Sequence, residues 1–253
     1  MNRRTMIVSF AALTASWGLA QAKATQPYRV SLIAGERDGA NWRAGVAIDL
    51  AEGWKTYWRM PGEAGIPPQF DWSGSQAIAD VSVLYPLPKR LQDLSGETVG
   101  YEGQVIFPVV VRLLSNAREA SLQLNLFLAV CRNICIPAKA HASLALGSAA
   151  ADTDRLEEWI KRVPVSGEAV RAVTATMDGD RPTLLITLAR PARDIFVEAK
   201  GSAYFRKPVF SENGLQARLL VDNVQHATEL KGLAVKLTVA LDGSGIEQAA
   251  TVE

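Results

Sequence analysis

Both cysteines of the 253-residue chain fall within Val130-Cys131-Arg132-Asn133-Ile134-Cys135-Ile136-Pro137, three residues apart. Thiols this close can form a disulfide, exchange it with the thiols of another protein, or hold a soft metal ion. The flanking residues say how the pair is carried. Leu122, Leu124, Leu126 and Leu128 repeat with a period of two, the mark of a strand with one buried face. Cys131 takes the other parity, with Gln123 and Asn125. Downstream, Ile136, Ala138, Ala140, Ala142, Leu144 and Leu146 share one parity, and Cys135 falls with Lys139, His141 and Ser143. Both cysteines are therefore expected on the more polar face of two neighbouring strands. Arg132-Asn133-Ile134 suits a short hairpin loop, with Asn133 tolerant of positive φ. Across such a mouth the Cα atoms approach to about 4.5–5.5 Å, within disulfide range. A helix would also place the two cysteines on one face, but the alternation on either side and Pro137 oppose it.

Three roles for the pair stay open on these residues. A disulfide closing a loop of about five residues stabilises by only about 2 kcal/mol, against about 3 for fifteen residues. A chain of this length buries a core without such a staple, and a tight hairpin bond is readily reduced. That favours exchange over an inert structural bond. The third role is copper handling, since two thiolates bind Cu(I). His141 is the one histidine close in sequence, and methionine is scarce.

The frame that must hold the pair is ordinary globular sequence, with a net charge of +1 and 7% aromatics. That balance carries no nucleic-acid or anionic-membrane footprint. Residues 1–22 are expected to be a signal peptide: Asn2-Arg3-Arg4 is basic, Met6 to Leu19 is apolar, and Ala20-Gln21-Ala22 is a cleavage site. The product is then exported to a disulfide-permissive space, and a bacterial periplasm fits.

From Tyr28 the pattern is β. Strands are expected at Val30–Ala34, Ala44–Leu50, Gly53–Arg59, Gln69–Trp72, Val81–Tyr85 and Gln104–Leu113, with a turn over Gly35–Gly39. Lys89 to Glu102 is polar and holds Gly96 and Gly100, so a long loop is expected there. Short strands with turn signals at this spacing indicate a sandwich. Ser148 to Asp152 is a linker, and Asp154 has the cap position of a helix whose stripe is Leu156, Trp159, Ile160 and Val163. A second, smaller β unit follows from Glu168, its cleanest alternation being Leu233, Val235, Leu237, Val239 and Leu241. It shows no active-site constellation. The expected division is residues 1–22, 25–148, 149–167 and 168–253.

Three stretches carry a resemblance. They are Gly53-Trp54-Lys55-Thr56-Tyr57-Trp58-Arg59-Met60-Pro61-Gly62-Glu63-Ala64-Gly65-Ile66-Pro67-Pro68, Tyr101-Glu102-Gly103-Gln104-Val105-Ile106-Phe107-Pro108-Val109, and the cysteine segment itself. They resemble the periplasmic N-terminal domain of DsbD-type protein-disulfide reductases, most of all the ScsB-like branch. The resemblance spans roughly residues 28 to 250. It implies an all-β fold: an immunoglobulin-like sandwich carrying the cysteine pair, a short linking helix and a second, smaller β-sandwich-like domain. It implies a thiol–disulfide oxidoreductase with no cofactor. The donor is a membrane-embedded DsbD- or ScsB-like carrier or a thioredoxin-like protein. The acceptor is a periplasmic disulfide isomerase or a cytochrome c maturation thioredoxin. Cys135 then resembles the cysteine that forms the mixed disulfide, and Cys131 the resolving one. Asp93-Leu94-Ser95-Gly96-Glu97 occupies the place of the family's cap loop, with Leu94 where an aromatic is usual. Tyr57 matches a tyrosine of the neighbouring strand, with core packing as its other reading. Arg132 and Lys139 either favour a thiolate or form a solvated rim. Family members usually fuse this region to a transmembrane carrier. The expectation here is that such parts are separate proteins, or that the module stands alone.

Overall fold

The computed structural model describes residues 26–62, 65–93, 96–115, 119–147 and 153–253. The expected signal peptide, Leu94 and the expected linker at 148–152 fall outside the described residues. Ten strands precede the helix: β1 (Tyr28–Asp38), β2 (Asn41–Leu50), β3 (Lys55–Gly62), β4 (Gln69–Asp71), β5 (Ile78–Val83), β6 (Lys89–Asp93), β7 (Gly96–Glu102), β8 (Gln104–Leu113), β9 (Ala120–Cys131) and β10 (Cys135–Leu146). They form two antiparallel sheets, ordered β1-β2-β8-β5 and β10-β9-β3-β7-β6, with β4 paired to β9. The result is the all-β, immunoglobulin-like sandwich expected.

The core is built from the alternations the strands carry. Leu122, Leu124, Leu126 and Leu128 of β9 are buried, while Gln123 and Asn125 are exposed. They meet Val46 and Ile48 of β2 and Val105, Phe107, Val109 and Val111 of β8. Phe70, Tyr85 and Tyr101 pack edge-on around Phe107, at centroid distances of 5.5, 5.3 and 5.3 Å, the geometry that ring quadrupoles favour. β8 is buried on both faces, as its continuous apolar run requires.

Four expectations are corrected. Lys89 to Glu102 is a hairpin, β6–β7, in register from Lys89↔Gly100 to Asp93↔Gly96. Its polar look hides the fact that Val99 and Tyr101 enter the main core while Thr98 and Gly100 are buried on the opposite face. The strand β1 runs through Gly35 with a register shift between Ala34 and Arg37, so the turn is confined to the residues around Gly39. The helix α1 (Thr153–Ile160) begins one residue before Asp154, which therefore lies in the first turn, where its charge suits the helix dipole, and not at the cap. Finally, Asn133 is not left-handed: among the described residues Ala77 and Asn223 are the non-glycine positions with positive φ.

Leu156 of α1 is fully buried with Ile33, Ala47 and Ile106, so the helix packs on the outer face of the β1-β2-β8-β5 sheet. Beyond it lie β11 (Val165–Ser166), β12 (Val170–Asp178), β13 (Arg181–Leu188), β14 (Asp194–Ala199), β15 (Tyr204–Phe205), β16 (Val209–Phe210), β17 (Gln216–Asp222), β18 (Ala234–Ala240) and β19 (Gly245–Thr251). They form sheets ordered β11-β19-β18-β14 and β12-β13-β17-β15, with β16 on β17. Their core is separate, with Leu184, Ile186, Leu219, Leu237 and Val239 fully buried at its centre. No helix among the described residues is long and apolar enough to cross a membrane.

Candidate functional site

The strands β9 and β10 pair without a slip from Leu146↔Ala120 to Cys135↔Cys131, so the cysteines face each other at the hairpin mouth. They are disulfide-bonded, with Cα atoms 4.2 Å apart. The loop is closed by the Arg132 N–H, which donates to the Ile134 carbonyl at 3.4 Å. Pro137 lies on β10, the edge of its sheet, where a residue without an N–H breaks no ladder.

The two sulfurs differ in access. Cys135 is exposed, and beside it Ile134 and Ile136 are 75% and 43% exposed. Cys131 is 1% exposed. Its parity does place it on the face of Gln123 and Asn125, but that face is covered at this end. Tyr57, Ala129 and Ile66 close over it. Tyr57 is itself buried, and its hydroxyl donates to Cys131 Sγ at 2.8 Å and lies 3.1 Å from Cys135 Sγ. The segment after β3 fits against this ring only because residue 65 is glycine. Its φ is +125°, and a Cβ there would stand 2.5 Å from the Tyr57 ring. Tyr57 is thus both a packing residue and the polar contact of both sulfurs. Leu94 cannot be placed against the pair, since it falls outside the described residues. Arg132 and Lys139 are exposed.

One residue at the site was read past in the sequence. Lys55 pairs with Cys131 across β3 and β9 and with Glu102 across β3 and β7. It is only 5% exposed. Its ammonium donates to Thr98 Oγ1 at 2.7 Å, and Thr98 Oγ1 donates to the Leu91 carbonyl at 3.2 Å. The same ammonium stands 5.7 Å from the Tyr57 ring centroid. Lysines are seldom buried without a reason. The signal available was its parity: Lys55 alternates with Tyr57 on one strand.

β3 also ties the site to the second β unit. The Arg59 guanidinium binds Glu198 through two hydrogen bonds at 2.8 and 2.6 Å, bridges to Glu247, and stacks on Trp58 at 4.3 Å. Burial works against its charge, but the hydrogen bonds and charge of Glu198, with Glu247, outweigh this and hold its pKa above the ordinary value. Arg90 of β6 reaches Asp194 at 2.9 Å and Glu97 at 2.7 Å. Burial raises the Asp194 carboxyl, with Arg90 opposing it. Trp58 and Phe196 meet at 5.5 Å between them. The second unit therefore grips β3, the strand next to the cysteine hairpin, and β6 at the far edge of the same sheet.

A β-sandwich with a hairpin disulfide at its rim, one sulfur exposed and one covered, is a recognisable class of domain. Residues 21–146 match the family described as "Thiol:disulfide interchange protein DsbD, N-terminal", and over this region the chain belongs to that family. The N-terminal periplasmic domain of ScsB from Proteus mirabilis superposes with a TM-score of 0.68 at 23% identity, over 89% of this chain and 91% of that chain. That likeness extends the shared fold to the second unit. The CupB2 chaperone of Pseudomonas aeruginosa gives a TM-score of 0.23 at 7% identity, over 83% of this chain and 93% of that one, too low to bear on the fold. No curated protein matches the sequence. A DsbD-type domain with a bonded cysteine pair is equipped for thiol–disulfide exchange in general.

Tyr57→Phe tests the contact to the sulfurs. A hydrogen bond to a charged group contributes about 1.5–3 kcal/mol, so exchange with a small dithiol is expected to slow about ten- to hundredfold. Stopped-flow reduction of the oxidised protein would measure it; an unchanged rate would leave Tyr57 with packing alone.

Proposed function

We propose that the chain is an exported, periplasmic thiol–disulfide exchange module that relays two electrons through Cys131 and Cys135. The observation that carries this is the asymmetry of the bonded pair: an exposed Cys135 joined to a covered Cys131 whose sulfur receives a hydrogen bond from Tyr57. A thiolate of a donor attacks Cys135 Sγ in line with the disulfide. The bond to Cys131 breaks, and Cys131 leaves as a thiolate held by the Tyr57 hydroxyl. A second donor thiolate then attacks the donor's own sulfur, forming the donor disulfide and releasing Cys135 as a thiolate. The reduced pair repeats the exchange in the other sense on an acceptor. Cys135 attacks, and Cys131 resolves the mixed disulfide by attacking Cys135 Sγ. Each cycle moves two electrons and needs no cofactor.

The partners this reading implies are a membrane-embedded DsbD- or ScsB-like carrier or a thioredoxin-like protein as donor. The acceptor is a disulfide isomerase or a cytochrome c maturation thioredoxin. Ile134 and Ile136 beside Cys135 supply apolar contact for such a protein.

The test is a redox titration against glutathione and dithiothreitol buffers, followed by thiol alkylation. Exposed, labile disulfides reduce more easily than structural ones, which lie below about −300 mV. The pair is expected above that value. A pair still oxidised well below it would be a structural bond, and the chain a binding module.

A further inference from the structure

The exposed sulfur of Cys135 lies in a surface that is apolar at its centre and cationic at its border. We propose that this surface docks a protein whose own reactive disulfide sits in an apolar patch bordered by carboxylates, and that Arg132 and Lys139 select that partner by charge. The inference rests on the exchange reading and names the chemistry of the partner which that reading requires.

The centre comes first. Ile134 and Ile136 flank Cys135 in the chain, and Ile134 is the most exposed large apolar side chain among the described residues. Pro137, also exposed, continues the patch. Apolar groups left in water here add nothing to the core, and they suit contact with another protein.

The border carries charge of one sign. Arg132 belongs to the loop between the cysteines. Lys139 shares the β10 face of Cys135, four residues and so about 13 Å further along. Both are exposed, and neither makes an ion pair among the described residues. Arg132 has a seat: a Cβ at Gly53 would stand 3.2 Å from its Nε, so its side chain lies along the backbone of the loop before β3. Across the strands from Lys139 come Phe127 and then Gln69, both uncharged. Acids are sparse on this side. Glu52 is beside Gly53, and Glu102 is three strands from Cys135 in the row through Cys131 and Lys55. Asp71 accepts from the Ser73 N–H at 2.9 Å and from the Asn125 amide at 3.2 Å. His141, next after Lys139 on that face, is turned to Asn125 at 2.7 Å.

Exposed charges of this kind do little for stability. Their effect is at range: at about 0.1 M salt the field extends about 10 Å into solvent. It draws in carboxylates on a partner's rim and holds off a partner with a cationic rim. The isoleucines then make the close contact while Cys135 exchanges.

The test gives the reduced chain three disulfides. Two are disulfide-linked dimers of a short peptide, its cysteine flanked by aspartates in one and by lysines in the other. The third is neutral hydroxyethyl disulfide. In each reaction Cys135 attacks, Cys131 resolves the mixed disulfide, the chain ends oxidised and both halves of the probe leave as thiols. Initial rates are compared between the parent and Arg132→Gln/Lys139→Gln. The variant is expected to react about tenfold more slowly with the aspartate peptide, several-fold faster with the lysine peptide, and equally fast with the neutral probe. In about 0.5 M salt the difference between parent and variant should largely vanish. Equal changes with both peptides, or no change with either, would overturn the inference and leave exchange intact. A parent that does not react with the neutral probe would remove the exchange reading and this one with it. Binding of the parent to phosphatidylglycerol vesicles, lost in the variant and with no preference between the peptides, would make the rim a lipid contact and overturn the inference too.

Discussion

Replacing Cys135 by serine is expected to abolish exchange, with a loss of more than about a thousandfold in rate, to the level of the uncatalysed solution reaction. The reason is access. Cys131 is 1% exposed beneath Tyr57, Ile66 and Ala129, so no outside thiolate reaches it while the cover is in place. The Cys131→Ser variant is expected to behave differently. Its exposed Cys135 still attacks a partner disulfide, but nothing resolves the product, and a covalent complex accumulates that reducing agent releases. Non-reducing electrophoresis with a thioredoxin-like protein would show it. The serine hydroxyl keeps Tyr57 as a hydrogen-bond partner, so this variant should fold. Both variants lose the same five-residue staple, worth about 2 kcal/mol. Equal stability with opposite trapping behaviour would separate chemistry from structure. If neither variant forms a mixed disulfide while the native pair exchanges, the assignment of Cys135 as the attacking sulfur fails.

How much of this was legible in the sequence depends on what each residue faces. The leucines of β9 alternate because one side meets the core and the other meets solvent, so period two was enough to place the strand, its partner β10 and the cysteine register. The β6–β7 hairpin was not legible, because β7 is buried on both faces by different means. Val99 and Tyr101 fill the core, while Thr98 and Gly100 admit Lys55 and β3 on the other side. Small and polar residues used for close approach look like loop. The cover over Cys131 was hidden for a related reason. Parity tells which face a side chain takes, but not whether a distant segment lies over it. Ile66, brought in by the left-handed turn at Gly65, is such a segment. Lys55 was not legible because a lysine in a strand is usually solvated, whereas the fold encloses this one, 5% exposed.

The second large effect concerns the strand that carries both Lys55 and Tyr57. Arg59→Met is expected to lower stability by about 3 kcal/mol, the low end of what removing one partner of a buried ion pair costs. The low end applies because the side chains of Arg59, Glu198 and Glu247 retain 19%, 15% and 24% of their exposure. Without the guanidinium the two carboxylates keep the Thr238 hydroxyl, which donates to Glu247 at 3.4 Å, and Lys236, 3.6 Å from each and itself 43% exposed. Methionine restores the apolar contact with Trp58 but not the charge. Chemical denaturation of the oxidised protein would measure the loss. Adding Glu198→Gln and Glu247→Gln to Arg59→Met should recover most of it, since the cost lies in the stranded carboxylates and not in the missing arginine. Arg59 lies two residues past Tyr57, so the same substitution should loosen the hydroxyl from the sulfurs and slow reduction of the pair in parallel with Tyr57→Phe. If stability falls while reduction is unaffected, the second unit is held by this cluster but does not brace the site. If stability does not fall, the contact between the units rests on Trp58 with Phe196 and on Arg90 with Asp194, and the Arg59 cluster lies only along its edge.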